Sequence, residues 1–580
     1  MTFSASSNFN HGYPTPGPQS PTAQKVMDHV FFVSETEWKI VREEEQFDYI
    51  IIGSGFCAYA FAERILQRDN QKNILIIERG PFFLPEHFQN LPLPYQKTLG
   101  GLSETFPWTL SEKTHNGTYI KWQHGMVPFF GGRSTLWSAW CPEPSDEEMV
   151  GWPEVTIQAV RKNFNSAKKL LNVVSANNIQ DLRLDNSHFK MPICGNKHIY
   201  GVMQQELTTK LQNSQIKNVY RVEPAPLAAG ANDNDFSKYA IPGPLLTLAI
   251  QQVNKSQNPQ PLFRIVTNCI VNRILQQNGK ATALETSRGV VSIGNAQLIL
   301  AMGTLPPTTL VHNSFPKEIF PELKNVGERF TAHFISSITA RIKKEAYKFH
   351  EKLGELELGA IYLAGKESKL GYSGQFHIQL SVIHDKDPNK NAQLAARYMP
   401  DVVATASPEQ LADSKDYLVF VCAVLGEMDY SNGQNWFHPN SDADPTCNST
   451  LQVIANHNDN QVWTAMEEAT FDMLEKVLHP QDFNQPIEYW HGTPNSGKWV
   501  EVTRPSQNQI RVDGLVHEGS TLWIGDDSDS SSPVDTNYKL RSIDNVYVTG
   551  AGLWPRSGSW NPTATMVALA QDLADKLIVF

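Results

Sequence analysis

Gly53, Gly55 and Ala58 stand at Gly-x-Gly-x-x-Ala spacing directly after the apolar run Tyr49-Ile50-Ile51-Ile52, and Glu78 follows 25 residues after Gly53. The chemistry in that spacing is the holding of a dinucleotide. A buried strand feeds a turn that Gly53 permits, Gly55 lets a pyrophosphate approach the backbone, and Ala58 is small enough for the next helix to pack on the strand. That helix, expected over residues 58–68, turns its N-terminal N–H groups and dipole toward the phosphates. A second strand over 73–77 delivers Glu78, whose carboxylate can accept hydrogen bonds from both hydroxyls of an adenosine ribose and would repel a 2′-phosphate. Phe56, Cys57 and Arg79 belong to the same segments and join the candidate contacts. Near the other end of the sequence, residues 545–549 read as a short strand and Gly550-Ala551-Gly552 as a turn. A helix over 562–577 starts just after Asn561, with Pro562 and Thr563 in its first turn, and can aim its positive end at an electron-rich ring carbonyl.

These two ends need a scaffold that brings them together. At 580 residues the chain is too long for one simple core, so two packed domains are expected. The fold class is α/β, or α+β overall: a discontinuous Rossmann-like domain beside a mixed-sheet substrate domain. Residues 1–25, rich in Ser, Pro, Asn and Gly, read as a disordered tail. Residues 46–150 form the first part of the dinucleotide domain, ending in a Pro/Gly/aromatic-rich connection over 81–140. Residues 151–260 read as a helical and irregular insertion, partly in the substrate domain, with helices over 156–171 and around Val202, Leu207 and Leu211. The dinucleotide domain resumes over 261–330. Strands are expected there at 263–271, 281–287, 290–293 and 296–301, and Ile270 and Gly303 are added to the candidate contacts. Residues 331–510 are the substrate-binding block, with strands at 376–383 and 417–425 and a helix over 462–477. Residues 511–580 return to the first domain. The chain has no internal repeats.

Composition narrows the function further. A formal charge of −11 excludes the basic field that nucleic acid requires. The six cysteines are scattered, without metal-ligand spacing, which points to reduced thiols and no metal. The start of the chain has no apolar core of a signal peptide, and no apolar run reaches about 18 residues, so a cytoplasmic protein without a membrane span is expected. The triplets at Asn116, Asn254 and Asn448 fit the glycosylation pattern without overturning that expectation. Asp526-Asp527-Ser528-Asp529 lacks the Gly and terminal Glu of a calcium loop and reads as solvated.

Four segments, taken in order, resemble the glucose-methanol-choline (GMC) family of FAD-dependent oxidoreductases. They are the Gly53–Glu78 fingerprint; Gly131-Gly132-Arg133-Ser134-Thr135-Leu136-Trp137-Ser138; Asn325-Val326-Gly327-Glu328-Arg329-Phe330-Thr331-Ala332-His333; and His517-Glu518-Gly519-Ser520-Thr521 with the segment from Gly550 to Ala570. The Gly-Gly-x-Ser-Thr-x-Trp form and Trp560-Asn561-Pro562-Thr563 look closest to the pyranose oxidase branch. The resemblance implies FAD as cofactor, with Gly132, Ser134, Thr135, Leu136, Trp137 and Ser138 among its contacts. Leu136 falls where pyranose oxidases place the histidine bonded covalently to flavin; leucine has no nucleophile, so the FAD is expected to be noncovalent. Ser138 stands at a small hydroxyl position near flavin N5 and O4. Leu522-Trp523-Ile524-Gly525 departs from the family's Arg-Met-Gly ending.

By the same resemblance His517 matches the catalytic histidine and Asn561 its partner. The implied reaction is oxidation of an alcohol group on a sugar, polyol or hydroxylated metabolite. His517 takes the hydroxyl proton, Asn561 orients the oxygen, and the hydride goes to flavin N5. Oxygen or a quinone would reoxidise the flavin, and an oligomer is compatible with the sequence. Trp108, Trp122, Trp137 and Trp140 are candidates for an aromatic wall over the ring, while His333 reads as closing a loop. Two rivals stand beside this reading: a non-redox lyase that retains FAD, and a degenerate flavoprotein with a binding role.

Overall fold

The computed structural model describes residues 22–92, 104–117, 120, 122–123, 125–179, 199–230, 238–253, 262–369, 372–399 and 406–578. Cys194, the Asn254 triplet, Thr118 and most of the N-terminal tail lie outside them, as does the Trp122 side chain.

Four apolar strands and a short fifth build a parallel sheet in the order Val546–Val548, Gln297–Leu300, Tyr49–Ile52, Ile74–Ile77 and Phe263–Val266. Tyr49–Ile52 sits at the centre, pairing Ile51 with Ile299 on one side and with Ile76 on the other. Both faces of such a strand are covered, which is why Tyr49–Ile52 and Ile74–Ile77 read as unbroken apolar runs and are buried throughout. The helices Phe56–Arg68 and Thr563–Ile578 pack together, and Glu154–Leu170 packs on the second of them. All five strands are parallel, so Gly53, Glu78, Gly303 and Gly550 emerge at the same carboxyl edge, the place where open sheets of this kind bind ligands.

The second body is a nine-stranded sheet, antiparallel except where Trp122–Gln123 pairs in parallel with Gly514 and Leu515. Its long members are Thr331–Lys343, Leu356–Lys369, Tyr372–Asp385 and Tyr417–Glu427. Alternation gives each strand two different faces. Phe334, Ile338, Phe376, Ile378 and Val424 turn one way and bury themselves against Val462, Trp463 and Met466 of the helix His457–Asp472. The other face looks toward the parallel sheet.

Several boundaries differ from the sequence reading. The tail gives way by Thr22, whose side chain caps the helix Ala23–Val30, and a second helix, Glu35–Glu43, begins at a Ser34 capping box. Both helices are short and bury few side chains. The strand expected over 263–271 is two, Phe263–Val266 and Val271–Gln277, in different sheets. The second forms a hairpin through Asn278 and Gly279, both at positive φ as a two-residue turn demands. Arg511–Gly519, assigned by sequence to the first domain, pairs with Thr331–Lys343 in the antiparallel sheet. Its end already touches the parallel-sheet body, since the Glu518 carbonyl accepts from Thr304 Oγ1.

Among the described residues no helix is long and apolar enough to cross a membrane, and no group of three metal-ligating side chains gathers. Five described cysteines are unpaired.

Candidate active site

A cavity of about 890 Å³ lies between the carboxyl edge of the parallel sheet and the inner face of the antiparallel one. The fingerprint turn lines it with Gly53, Gly55, Phe56 and Cys57, and the second strand with Glu78 and Arg79. Gly132, Leu136, Trp137 and Ser138 cover one side; Ile270, Gly303, Gly550 and Ala551 enter from the other strand ends. His517, Asn561, Pro562 and Thr563 line it as well. Four sequence candidates stand behind the wall instead. Ala58 is fully buried in helix packing. Ser134 donates to the Gly131 carbonyl and accepts from Ile241 N–H, while Thr135 donates to the Gly132 carbonyl. The Gly552 carbonyl accepts from Leu522 N–H. These residues shape the backbone that the cavity rests on.

The glycines divide by the space around them. Gly53 has φ +99° and a Cβ there would stand 2.4 Å from the Ala301 carbonyl oxygen, so the turn itself needs glycine. At Gly55, Gly132 and Gly303 an added Cβ would meet nothing closer than 3.9 Å. Protein packing does not use that space; a ligand can. Glu78 is buried, with its Oε2 accepting from Ser54 Oγ (2.6 Å) and its Oε1 from Gly80 N–H (2.9 Å). Burial raises its pKa against the pull of those bonds, and the carboxylate keeps acceptor capacity for a ribose hydroxyl. Burial likewise pushes the Cys57 thiol up to about 12, so it is an unreactive packing group. The set fits FAD: an open glycine cradle at a helix start, an acid at the ribose position, and a second helix start at Thr563 facing the same space.

His517 reaches the cavity through a break in strand pairing. Thr331 pairs with Gly519 and His333 with Val516, so three steps on one strand oppose two on the other. The extra residue is a β-bulge, and His517 sits in it at φ +62°. Regular alternation would send His517 to the face opposite Val516. The bulge turns it back, and its Nδ1 comes to 2.9 Å from Nδ1 of His333, with the rings edge to face at 4.9 Å. Next to it, Glu518 pairs with both terminal nitrogens of Arg133, whose Nε and Nη2 also donate to the Gly125 carbonyl. That pairing pins the bulge to the Gly-Gly-Arg-Ser-Thr segment.

A buried polar row continues from His333. The His377 ring lies 6.2 Å from it, Gln379 donates to His377 Nε2 (3.1 Å), and the same amide nitrogen donates to Asn561 Oδ1 (2.8 Å). Through this row the structure joins two residues that are 44 positions apart. With its oxygen taken by Gln379, Asn561 has its Nδ2 left to offer the cavity it lines. Burial lowers the His333 pKa to about 3 and takes His377 well below the usual imidazole value, so both are neutral at working pH.

Sequence reasoning missed His333, His377 and Gln379. His333 lies in a strand and not in a loop. The signal was alternation: 333, 335 and 337 on one strand and 377 and 379 on another share a face, but which face meets His517 depends on register. Trp108, Trp137 and Trp140 line the cavity, and Trp137 meets Phe56 edge to face at 4.8 Å. The departure at Leu522–Ile524 is absorbed by packing, since Leu522 and Ile524 are buried and Arg329 stacks on Trp523 at 4.2 Å.

Behind Trp137, the His87 Nε2 donates to the Trp137 carbonyl (2.6 Å), and Gln89 N–H donates to its Nδ1. Burial, with Lys238 nearby, lowers its pKa to about 3. The folded value lies below that of the unfolded chain, near ~6.5. The stabilisation is therefore complete above that value and drains as pH falls toward the folded one. Against His87→Asn, the stability advantage of the wild-type protein is expected to narrow by up to about 1.4 kcal/mol per pH unit between pH 6 and 4. Urea unfolding at several pH values measures it; a gap that stays constant counts against a neutral buried His87.

The fold and cavity are those of a dinucleotide-binding scaffold with room for a flavin, and comparisons with known proteins point to the same kind of scaffold. Residues 434–570, which contain both His517 and Asn561, match the family model for the C-terminal region of GMC oxidoreductases. The alcohol oxidase of Candida boidinii is 22% identical over 342 residues, 53% of this chain and 48% of that protein, so the chain spans about half the length of the curated relative it matches. A crystal structure of pyridoxine 4-oxidase from Mesorbium loti shares the fold, with TM-score 0.57 and 16% identity over 92% of this chain and all of the other. The likeness to the GMC oxidoreductases, which are FAD enzymes, is therefore carried by the sequence of residues 434–570 and by the fold of the chain.

Proposed function

We propose that the protein oxidises the CH–OH group of a small alcohol to a carbonyl, with His517 as the base and Asn561 as the group that orients the hydroxyl. The observation that carries this reading is the row His517–His333–His377–Gln379–Asn561, which sets an imidazole and an amide on one wall of a cavity that fits FAD. FAD, when bound, supplies the acceptor for the hydride that leaves the carbinol carbon.

The protein's own groups manage the proton. Two Nδ1 atoms in contact need one hydrogen between them, and a base at His517 requires that hydrogen on the His517 side. His333 then accepts, His517 donates its Nδ1–H, and the lone pair of His517 stays on Nε2. Nε2 takes the hydroxyl proton as the carbonyl forms, and Asn561 Nδ2–H holds the oxygen as negative charge builds on it. The imidazolium left at His517 stabilises that charge. Oxygen is the acceptor in line with the two relatives, both named as oxidases. Gly53, Gly55, Glu78 and Gly303 with the Thr563 helix start would hold the cofactor. Leu136 leaves it without a covalent link, and unpaired thiols suit a cytoplasmic setting.

Anaerobic mixing of the purified holoprotein with a panel of alcohols tests the reading. Loss of the oxidised flavin band with formation of an aldehyde or ketone is the expected result, and acid precipitation should release the yellow colour into the supernatant. Turnover without bleaching would favour the lyase rival. A flavin that dithionite reduces but no alcohol does would favour a binding role.

A further inference from the structure

The sheet face that carries the His517 partners also carries the wall that a substrate must touch. Residues directly paired across neighbouring strands share a face. The pairings Ile335 with Leu425, Ser337 with Ala423, His377 with Leu425, Gln379 with Ala423, and His333 with Val516 therefore set all of these side chains on the cavity side. From this sheet nine residues line the cavity, and the five apolar ones are Ile335, Ala423, Leu425, Val512 and Val516. Ile335, Ala423, Leu425 and Val516 form one packed cluster, separate from the cores of the two sheets. Of the four polar side chains, His517 and Gln379 belong to the row described above, Glu518 is paired with Arg133, and Ser337 is already engaged within the protein. Beyond the alcohol oxygen held by that row, a sugar would bring several hydroxyls against a strip that offers few acceptors besides the Gln379 carbonyl oxygen.

Each hydroxyl brought against such a surface loses its water and finds few partners, whereas a hydrocarbon group gains by being covered. Asn561 Nδ2 and His517 Nε2 serve one alcohol oxygen, and the strip beside them serves carbon. Resting on the alcohol-oxidising reading above, we propose that the site selects an alcohol whose remaining substituent is apolar, aliphatic or aromatic, over a sugar or polyol. The cluster Ile335, Ala423, Leu425 and Val516 is the specificity-determining surface.

The test is anaerobic stopped-flow reduction of the holoenzyme flavin by 1-hexanol, benzyl alcohol, glycerol and glucose. Second-order rate constants for hexanol or benzyl alcohol are expected to exceed those for glycerol and glucose by at least about a hundredfold. The aliphatic and aromatic arms tell which substituent the strip prefers. Glucose or glycerol matching or exceeding both apolar alcohols overturns the substrate class and leaves alcohol oxidation standing. No reduction by any of the four, with dithionite still bleaching the flavin, overturns both readings together. A Leu425→Asn variant keeps the side-chain volume close and places an amide in the strip. It is expected to lower the hexanol-to-glycerol rate ratio by about tenfold, at unchanged flavin content. An unchanged ratio removes the cluster from substrate selection.

Discussion

Replacing His517 with alanine is expected to lower kcat/KM for an oxidisable alcohol by about 10²- to 10⁴-fold, the usual span for loss of a positioned general base. Flavin content should hold, because the residues that shape the cofactor end of the cavity lie on the parallel-sheet side. The substitution removes the hydrogen donor to His333 Nδ1, a buried atom, so a stability loss of about 1–3 kcal/mol should accompany it. His517→Gln tests whether that loss matters to the rate, since an amide can donate to His333 but cannot take the proton. If both variants lose the rate and only alanine loses stability, the base and the packing roles separate. The acid limb of the kcat/KM profile should vanish in both, because no group then has to be deprotonated before reaction. Activity within about threefold of wild type in His517→Ala would end the assignment of His517 as the base.

How much of this site could be read before the fold was known depends on how each part is encoded. The fingerprint turn is local: Gly53 is required by a backbone angle and a near carbonyl, and sequence shows it as glycine. The helix starts at Phe56 and Thr563 are local too, and the structure places them within two residues of the expected positions. The His333–His517 contact is different, because it joins residues 184 apart and exists only through a one-residue bulge. Nothing in Val516-His517-Glu518 announces that bulge. The same holds for Gln379, which sequence shows only as one polar residue in an apolar alternation. The expectation of a sugar came from motif likeness at the flavin end, while the residues facing the substrate lie on strands whose inward face becomes known only from their register.

The largest effect on the holoprotein is expected from Gly55, and comparison with Gly53 makes the result interpretable. Gly55 has φ −82°, which any residue can adopt, and a Cβ there would have no contact nearer than 3.9 Å. Gly55→Val should therefore fold, with the helix Phe56–Arg68 intact. Its side chain, however, occupies the space that the fingerprint reserves for the pyrophosphate, so bound FAD per chain is expected to fall by at least about tenfold, a change equivalent to roughly 1.4 kcal/mol. Gly53→Val meets the opposite situation: positive φ and a carbonyl oxygen at 2.4 Å force the central strand or Ala301 to move. That variant should lose folded protein as well as flavin. Circular dichroism and the 450 nm absorbance of the two purified variants decide between them. A Gly55→Val protein that retains a full complement of flavin would mean that the cofactor does not approach the backbone at this turn, and the placement of its phosphates at the carboxyl edge of the parallel sheet would have to be abandoned.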